Sequence, residues 1–159
     1  MKRLLFLLSA LLTFNHLNAQ TCGNGFLLQL ILPDGSKPLF ANEYGGYGCA
    51  GYSTSVFQEM EGEVVWARTA SGDSLGCDTI VNDLSGKFAL VRRGNCEYSA
   101  KSDRVYLAGA SAVIIVNHYN SAQEDENTII NLGVVDGGNQ PQIPCIFICR
   151  KVGELISKA

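Results

Sequence analysis

Gly86 to Asn117 reads GKFALVRRGNCEYSAKSDRVYLAGASAVIIVN, and three kinds of local structure follow one another along it with no residues to spare. Lys87 to Val91 is an apolar-rich run that leads through Arg92 and Arg93 into Gly94. A polar and apolar mixture follows, closed by Gly109, and then a second apolar run, Ala112 to Val116. Strand, helix and strand in that order make a βαβ unit, which sets its second strand parallel to the first, usually through a right-handed crossover. Sequence cues bound the helix. Asn95 is read as its N-cap because a short amide side chain can accept from a free backbone N–H, and Glu97 complements the positive helix end. Gly109 suits the left-handed conformation that ends helices. Tyr98, Val105 and Ala108 recur at helical spacing, which predicts the face that packs on the sheet.

Outward from this unit, Phe26 to Leu32 reads as a strand stopped by Pro33-Asp34-Gly35, and Glu63 to Arg68 as another strand centred on Val64, Val65 and Trp66. Between them, the glycine-rich aromatic piece Tyr44 to Tyr52 reads as a loop. Its glycines lack the preceding strand and following helix that a phosphate cradle needs. After Asn117 comes a polar loop, His118 to Asn127, then an expected short strand at Ile129 to Val135 and a turn at Asp136 to Asn139. A strand from Ile143 and a terminal helix over Lys151 to Ser157 complete the chain. There is no internal repeat or low-complexity linker, so the expectation is one α/β domain of mixed α+β character over 20–159.

The same residues resemble the protease-associated (PA) domain, a non-catalytic module of secreted and vesicular proteins. The family pattern runs Gly-Lys, an apolar strand, Arg-Gly-x-Cys-x-aromatic, a helix with an inward Lys, Ala-Gly-Ala, and an apolar strand ending in Asn. It is matched by Gly86, Lys87, Arg93, Gly94, Cys96, Tyr98, Lys101, Ala108, Gly109, Ala110 and Asn117. Ile143 and Pro144 resemble the opening of the family's closing strand, and the likeness is strongest over 64–157. It implies a β-rich sandwich or open barrel carrying the βαβ crossover and flanking helices. The helix departs from the pattern: Ser102 stands where an apolar residue is commoner, and Tyr106 and Leu107 where polar ones are usual. Either the helix is rotated slightly on the sheet, or Tyr106 and Leu107 form an exposed apolar patch.

Lys2 and Arg3 precede the apolar run Leu4 to Leu12, and Ala19 follows, which is the order of a secretory signal peptide. Residues 1–19 are therefore read as a cleavable leader; the run is about half the roughly 20 residues a membrane span requires. A secreted or extracytoplasmic location follows, with no membrane span in the mature chain. All six cysteines lie beyond the cut, which is compatible with disulfides. Cys145 and Cys149 on one extended strand would stand roughly 13 Å apart, beyond the roughly 7 Å that a disulfide allows. Their default is core packing or separate partners. The family resemblance implies a Cys77 to Cys96 bridge, and Cys22 with Cys49 is the expected second pair.

Chemistry-bearing residues are few. Past the leader the only histidine is His118, and no Gly-x-Ser-x-Gly elbow accompanies it. A Cys96 and His118 pair competes with the disulfide. There is no His-Glu-x-x-His helix and no Cys-x-x-Cys pair for zinc. Glu124, Asp125 and Glu126 lack the periodic spacing of a calcium loop. Of Arg92 and Arg93, one is read as facing solvent and the other as bracing the turn through backbone carbonyls, with recognition of a bound peptide's carboxylate by either guanidinium fork as the alternative. A charge of −3 with 17% charged residues shows no basic surplus for nucleic acid. No catalytic or metal residue and no cofactor is assigned. The resemblance implies a protein or peptide partner, a peptidase domain among them, met by loops bearing Tyr47, Tyr52, Arg93, Asn95, His118 and Tyr119. The second reading is an accessory piece of a secreted peptidase whose catalytic domain lies outside this sequence.

Overall fold

The computed structural model describes residues 3–7, 27–31, 34–36, 47–49, 60–118, 126, 128 and 142–158. Seven strands and two helices occupy them: β1 Arg3–Leu7, β2 Leu27–Ile31, β3 Tyr47–Cys49, β4 Met60–Trp66, β5 Phe88–Arg92, α1 Tyr98–Leu107, β6 Ala112–Val116, β7 Cys145–Ile148 and α2 Arg150–Lys158. The strands form one sheet in the order β2-β1-β4-β5-β6-β7-β3. Its centre is parallel. Val64 stands opposite Phe88, Phe88 opposite Ala112, and Val113 opposite Cys145. Antiparallel strands close both flanks, β1 on β4 and β3 on β7. The mixed α/β class and the βαβ crossover are thus as the sequence predicts.

The central strands are apolar without alternation because both faces of the sheet are covered, the expected pattern for parallel strands. Every residue of β6 and β7 is buried, as are four of the five in β5. The pleat then divides them into two cores. Phe88, Leu90, Ile114, Val116, Ile146 and Ile148 face α2, meeting its Val152 and Ile156. Ala89, Val91, Val113, Ile115, Cys145 and Phe147 face α1, meeting Val105. Tyr98 sets its ring edge-on to Phe147, with centroids 6.5 Å apart. Tyr106 and Leu107 lie on the outer side of α1 and are exposed, and Val81 is a third large apolar residue open to solvent.

Gly109 ends α1 with φ 88°, and a Cβ there would lie 3.1 Å from the Ser85 backbone. Conformation and space both select glycine. The start of α1 differs from expectation. The cap position is Glu97, which makes no side-chain capping bond, while Asn95 has φ 66° and belongs to the turn before it. The disulfide and Gly94 already shape that turn, so the helix begins two residues later than a capping asparagine would set it. The stretch Tyr44 to Tyr52 is likewise not all loop, since Tyr47–Cys49 pairs with the free edge of β7. Such pairing needs backbone groups only, which a glycine-rich segment still supplies. Arg3–Leu7, inside the proposed leader, is a strand between β2 and β4. The expected strand at 129–135, the turn at 136–139 and the Cys22 to Cys49 pair lie outside the described residues, as do Tyr52 and Tyr119.

Candidate functional site

The loop between β4 and β5 and the turn between β5 and α1 are tied together beside the carboxyl end of the sheet. Cys77 and Cys96 form a disulfide, with Cα atoms 5.7 Å apart. Cys145 and Cys149 form no disulfide and are buried. Burial also pushes the Cys149 thiol above its ordinary pKa, which keeps it protonated and unreactive.

Under the disulfide lies Lys101 of α1, one of the largest fully buried side chains. Its Nζ donates to the Leu75 carbonyl, to the Gly94 carbonyl at 2.7 Å and to Cys77 Sγ at 3.3 Å. An ammonium has three protons, and all three are used. Removal from water pulls the Lys101 pKa down to about 8, against the opposing pull of Asp73 and with help from Arg104. The family resemblance implies an inward Lys101, and the structure shows its work: it joins the 75–77 loop, the turn at Gly94 and α1 at one point.

Arg93 and Asn117 form a second brace. Arg93 donates to Asn117 Oδ1 at 3.0 Å, and the buried Asn117 passes its amide to the Thr128 carbonyl at 2.9 Å. Its backbone N–H reaches Ile148 O. Lys87 closes the opposite end of β5 on Asp83. Gly86 donates its N–H to Gly109 O, Ala110 to Val105 O, and Pro144 accepts from Val113. These motif residues are occupied in holding strands, turns and helix together.

An open cleft of about 670 Å³ lies alongside, lined by Arg68, Asp73, Ser74, Leu75, Arg92, His118, Arg150 and Glu154. Arg92, the last residue of β5, lays its guanidinium over the Trp66 ring, 5.0 Å from the centroid. Arg68 donates through NH1 to the Gly72 carbonyl at 3.2 Å. Arg150 pairs with Glu154 at 2.9 Å and stands 3.9 Å from Glu126. The hydroxyl of Ser71 and then the Leu75 amide hold the Asp73 carboxyl below its ordinary pKa. Of the binding-loop residues expected from sequence, His118 lines this cleft and Arg93 and Asn95 lie in the adjoining turn. Tyr47 sits in β3 at the far edge of the sheet. Sequence reasoning missed Arg68, Asp73, Arg150 and Glu154. The available signal was position: Arg68, His118 and Arg150 each follow a strand end by two residues. Among the described residues, no cluster of His, Cys, Asp or Glu has the makings of a metal site, and no helix is long and apolar enough to cross a membrane.

Comparison with known proteins gives a consistent relationship. The family model described as the PA domain matches residues 37–156. Signal peptide peptidase-like 2 of Arabidopsis thaliana is 31% identical over 86 residues, 52% of this chain and 14% of that protein. RING finger protein 150 of Mus musculus is 37% identical over 100 residues, covering 60% of this chain and 22% of that protein. The human ER degradation-enhancing alpha-mannosidase-like protein 3 is 28% identical over 112 residues, 69% of this chain and 12% of that protein. The chain therefore spans less than a quarter of the length of these relatives. Among solved structures, a zinc aminopeptidase from Bacillus subtilis matches with a TM-score of 0.53 at 23% identity, covering 78% of this chain and 26% of that one. The shared architecture is that of a module carried by larger proteins.

Proposed function

This chain belongs to the PA domain family, and on that premise we propose that it is a non-catalytic, exported protein-interaction module that presents a protein or peptide to a peptidase or controls access to one. The observation that carries the reading is how the family-pattern residues are spent. Lys101 is saturated by two carbonyls and a sulfur, Arg93 by Asn117, and Cys77 by Cys96. Architecture absorbs them, and recognition is left to the loops above the sheet. Cys145 and Cys149, which form no disulfide, are both buried, which supports a binding rather than a nucleophilic role.

Affinity capture with the exported chain, repeated with alanine substitutions at Asn95 and His118, tests the reading. Loss of a captured protein with these variants is the expected result. Peptide hydrolysis by the isolated chain that disappears in His118→Ala would overturn it. The leader is tested separately, by N-terminal sequencing of the exported protein, which should begin at Gln20. Cleavage there also removes β1 from the sheet.

A second reading rests on the aminopeptidase likeness: the domain acts as the accessory part of a peptidase whose catalytic domain lies elsewhere. Copurification of the chain with a peptidase activity that Asn95 or His118 variants release would favour it.

A further inference from the structure

Parallel pairing places the carboxyl ends of β4, β5, β6 and β7 side by side, and each end delivers one nitrogen-bearing side chain to the same cleft. Arg68 follows β4, Arg92 ends β5, His118 follows β6 and Arg150 follows β7. Ligands of open α/β sheets bind outside the carboxyl ends of the strands. We propose that this cleft is a carboxylate-binding site for an acidic peptide segment, with Arg68 and Arg92 as the carboxylate ligands. The proposal rests on the interaction-module reading and supplies the chemistry of its partner.

The charges favour one carboxylate. Arg150 is already matched by Glu154 and Glu126. Neither Arg68 nor Arg92 forms a salt bridge with a carboxylate of the described residues; one guanidinium donates to a backbone carbonyl, the other lies on Trp66. Lying over an indole ring occupies a guanidinium's charge but none of its N–H groups with an oxygen acceptor, so the fork with which arginine grips a carboxylate through two bonds stays available. Asp73 and Glu154 also line the cleft, so three arginines against two carboxylates leave a single positive charge in excess. That suits a monoanion better than a dianionic phosphate. Leu75 offers an apolar surface for the neighbouring peptide side chain.

The test uses the full ¹⁵N-labelled chain and follows the arginine Nε–Hε resonances, assigned with Arg68→Gln and Arg92→Gln. Three probes are titrated at constant ionic strength: Ac-Ala-Leu-Asp-Ala-NH₂, its Asn counterpart with an amidated end, and Ac-Ala-Leu-Ala-Ala with a free carboxyl end. Saturable shifts at Arg68 and Arg92 with a carboxylate-bearing probe are expected, and none with the Asn probe. Whichever carboxylate peptide binds tells whether a side chain or a chain end is read. Loss of one charge-assisted contact in Arg92→Gln should weaken binding about tenfold, while Lys158→Gln, which removes an equal charge at the far end of α2, should leave it unchanged. Equal shifts from the Asn probe, no saturable shift from any probe, or stronger binding of inorganic phosphate would each overturn the site. A partner protein captured equally by wild type and Arg92→Gln would do so too, while leaving the interaction-module reading standing. Failure to capture any partner would count against that reading, and the peptide titration would still decide the site.

Discussion

The two faces of the sheet are covered by helices of similar length on opposite terms. Beneath α2 the contact is apolar and close: Val152 and Ile156 enter the core, and Gly153 lets the helix backbone meet Val116. Beneath α1 the inward positions include a lysine and a serine, and only Val105 is both fully buried and apolar among its own residues. The first face is held by packing, which is insensitive to which loops lie nearby. The second gives up packing for polar ties that reach out to the 75–77 loop and the turn at Gly94. Those loops border the cleft, so the polar face is where the fold invests in positioning a surface.

The strongest way to break this contrast is at Gly153. A Cβ there would lie 2.1 Å from Val116 Cγ1, so Gly153→Ala must push α2 off the sheet. Alanine's better helix propensity recovers part of the overpacking cost, and a net loss of about 2 to 3 kcal/mol is expected in denaturant unfolding. Shaving the obstruction with Val116→Ala in the same chain should recover some of it. If the double variant is less stable than the sum of the two singles, close packing is not what governs that face.

Lys101→Met sharpens the other side. It leaves the Leu75 and Gly94 carbonyls without their donor, for an expected loss of about 2 kcal/mol after the relief of burying a charge is counted. The wild type carries a pH signature as well. The unfolded lysine holds its proton up to 10.5, while the native one gives it up near 8. Between those values the unfolded state binds more protons, so native stability should rise with pH across that window. Thermal melts of wild type and Lys101→Met from pH 7 to 10.5 check this: the rise should be confined to wild type, and an identical profile in both would show that Lys101 is not its source.

Ser102 offers the smallest effect and the opposite sign. Its buried hydroxyl has no hydrogen-bond partner among the described residues, so Ser102→Ala should stabilise by about 1 kcal/mol. A loss instead would reveal that the hydroxyl has a partner, and would make α1 a still more polar face than it now is.

Much of this architecture is legible in residue order. The apolar runs at 88–91 and 112–116, the glycine at 109 and the inward spacing of Tyr98 and Val105 specify a βαβ unit, because local periodicity and turn chemistry act over a few residues. The resemblance carried Lys101 and the Cys77 to Cys96 pair. Asn95 was misread as a cap because capping preference is weaker than the constraint of a disulfide-closed turn. Tyr47 to Cys49 was misread as loop because strand addition at a free edge depends on what lies beside it, which composition does not record.

The sequence alone determined the βαβ unit, the strands before and after it at β2, β4 and β7, and the terminal helix, since each depends on neighbours within a helical turn or a strand. Only the tertiary structure decided that Arg68, Arg92, His118 and Arg150 share one cleft. Their separation along the chain carries no sign of proximity; it is the parallel register of four strands, set by burial on both faces, that brings their carboxyl ends to a common edge.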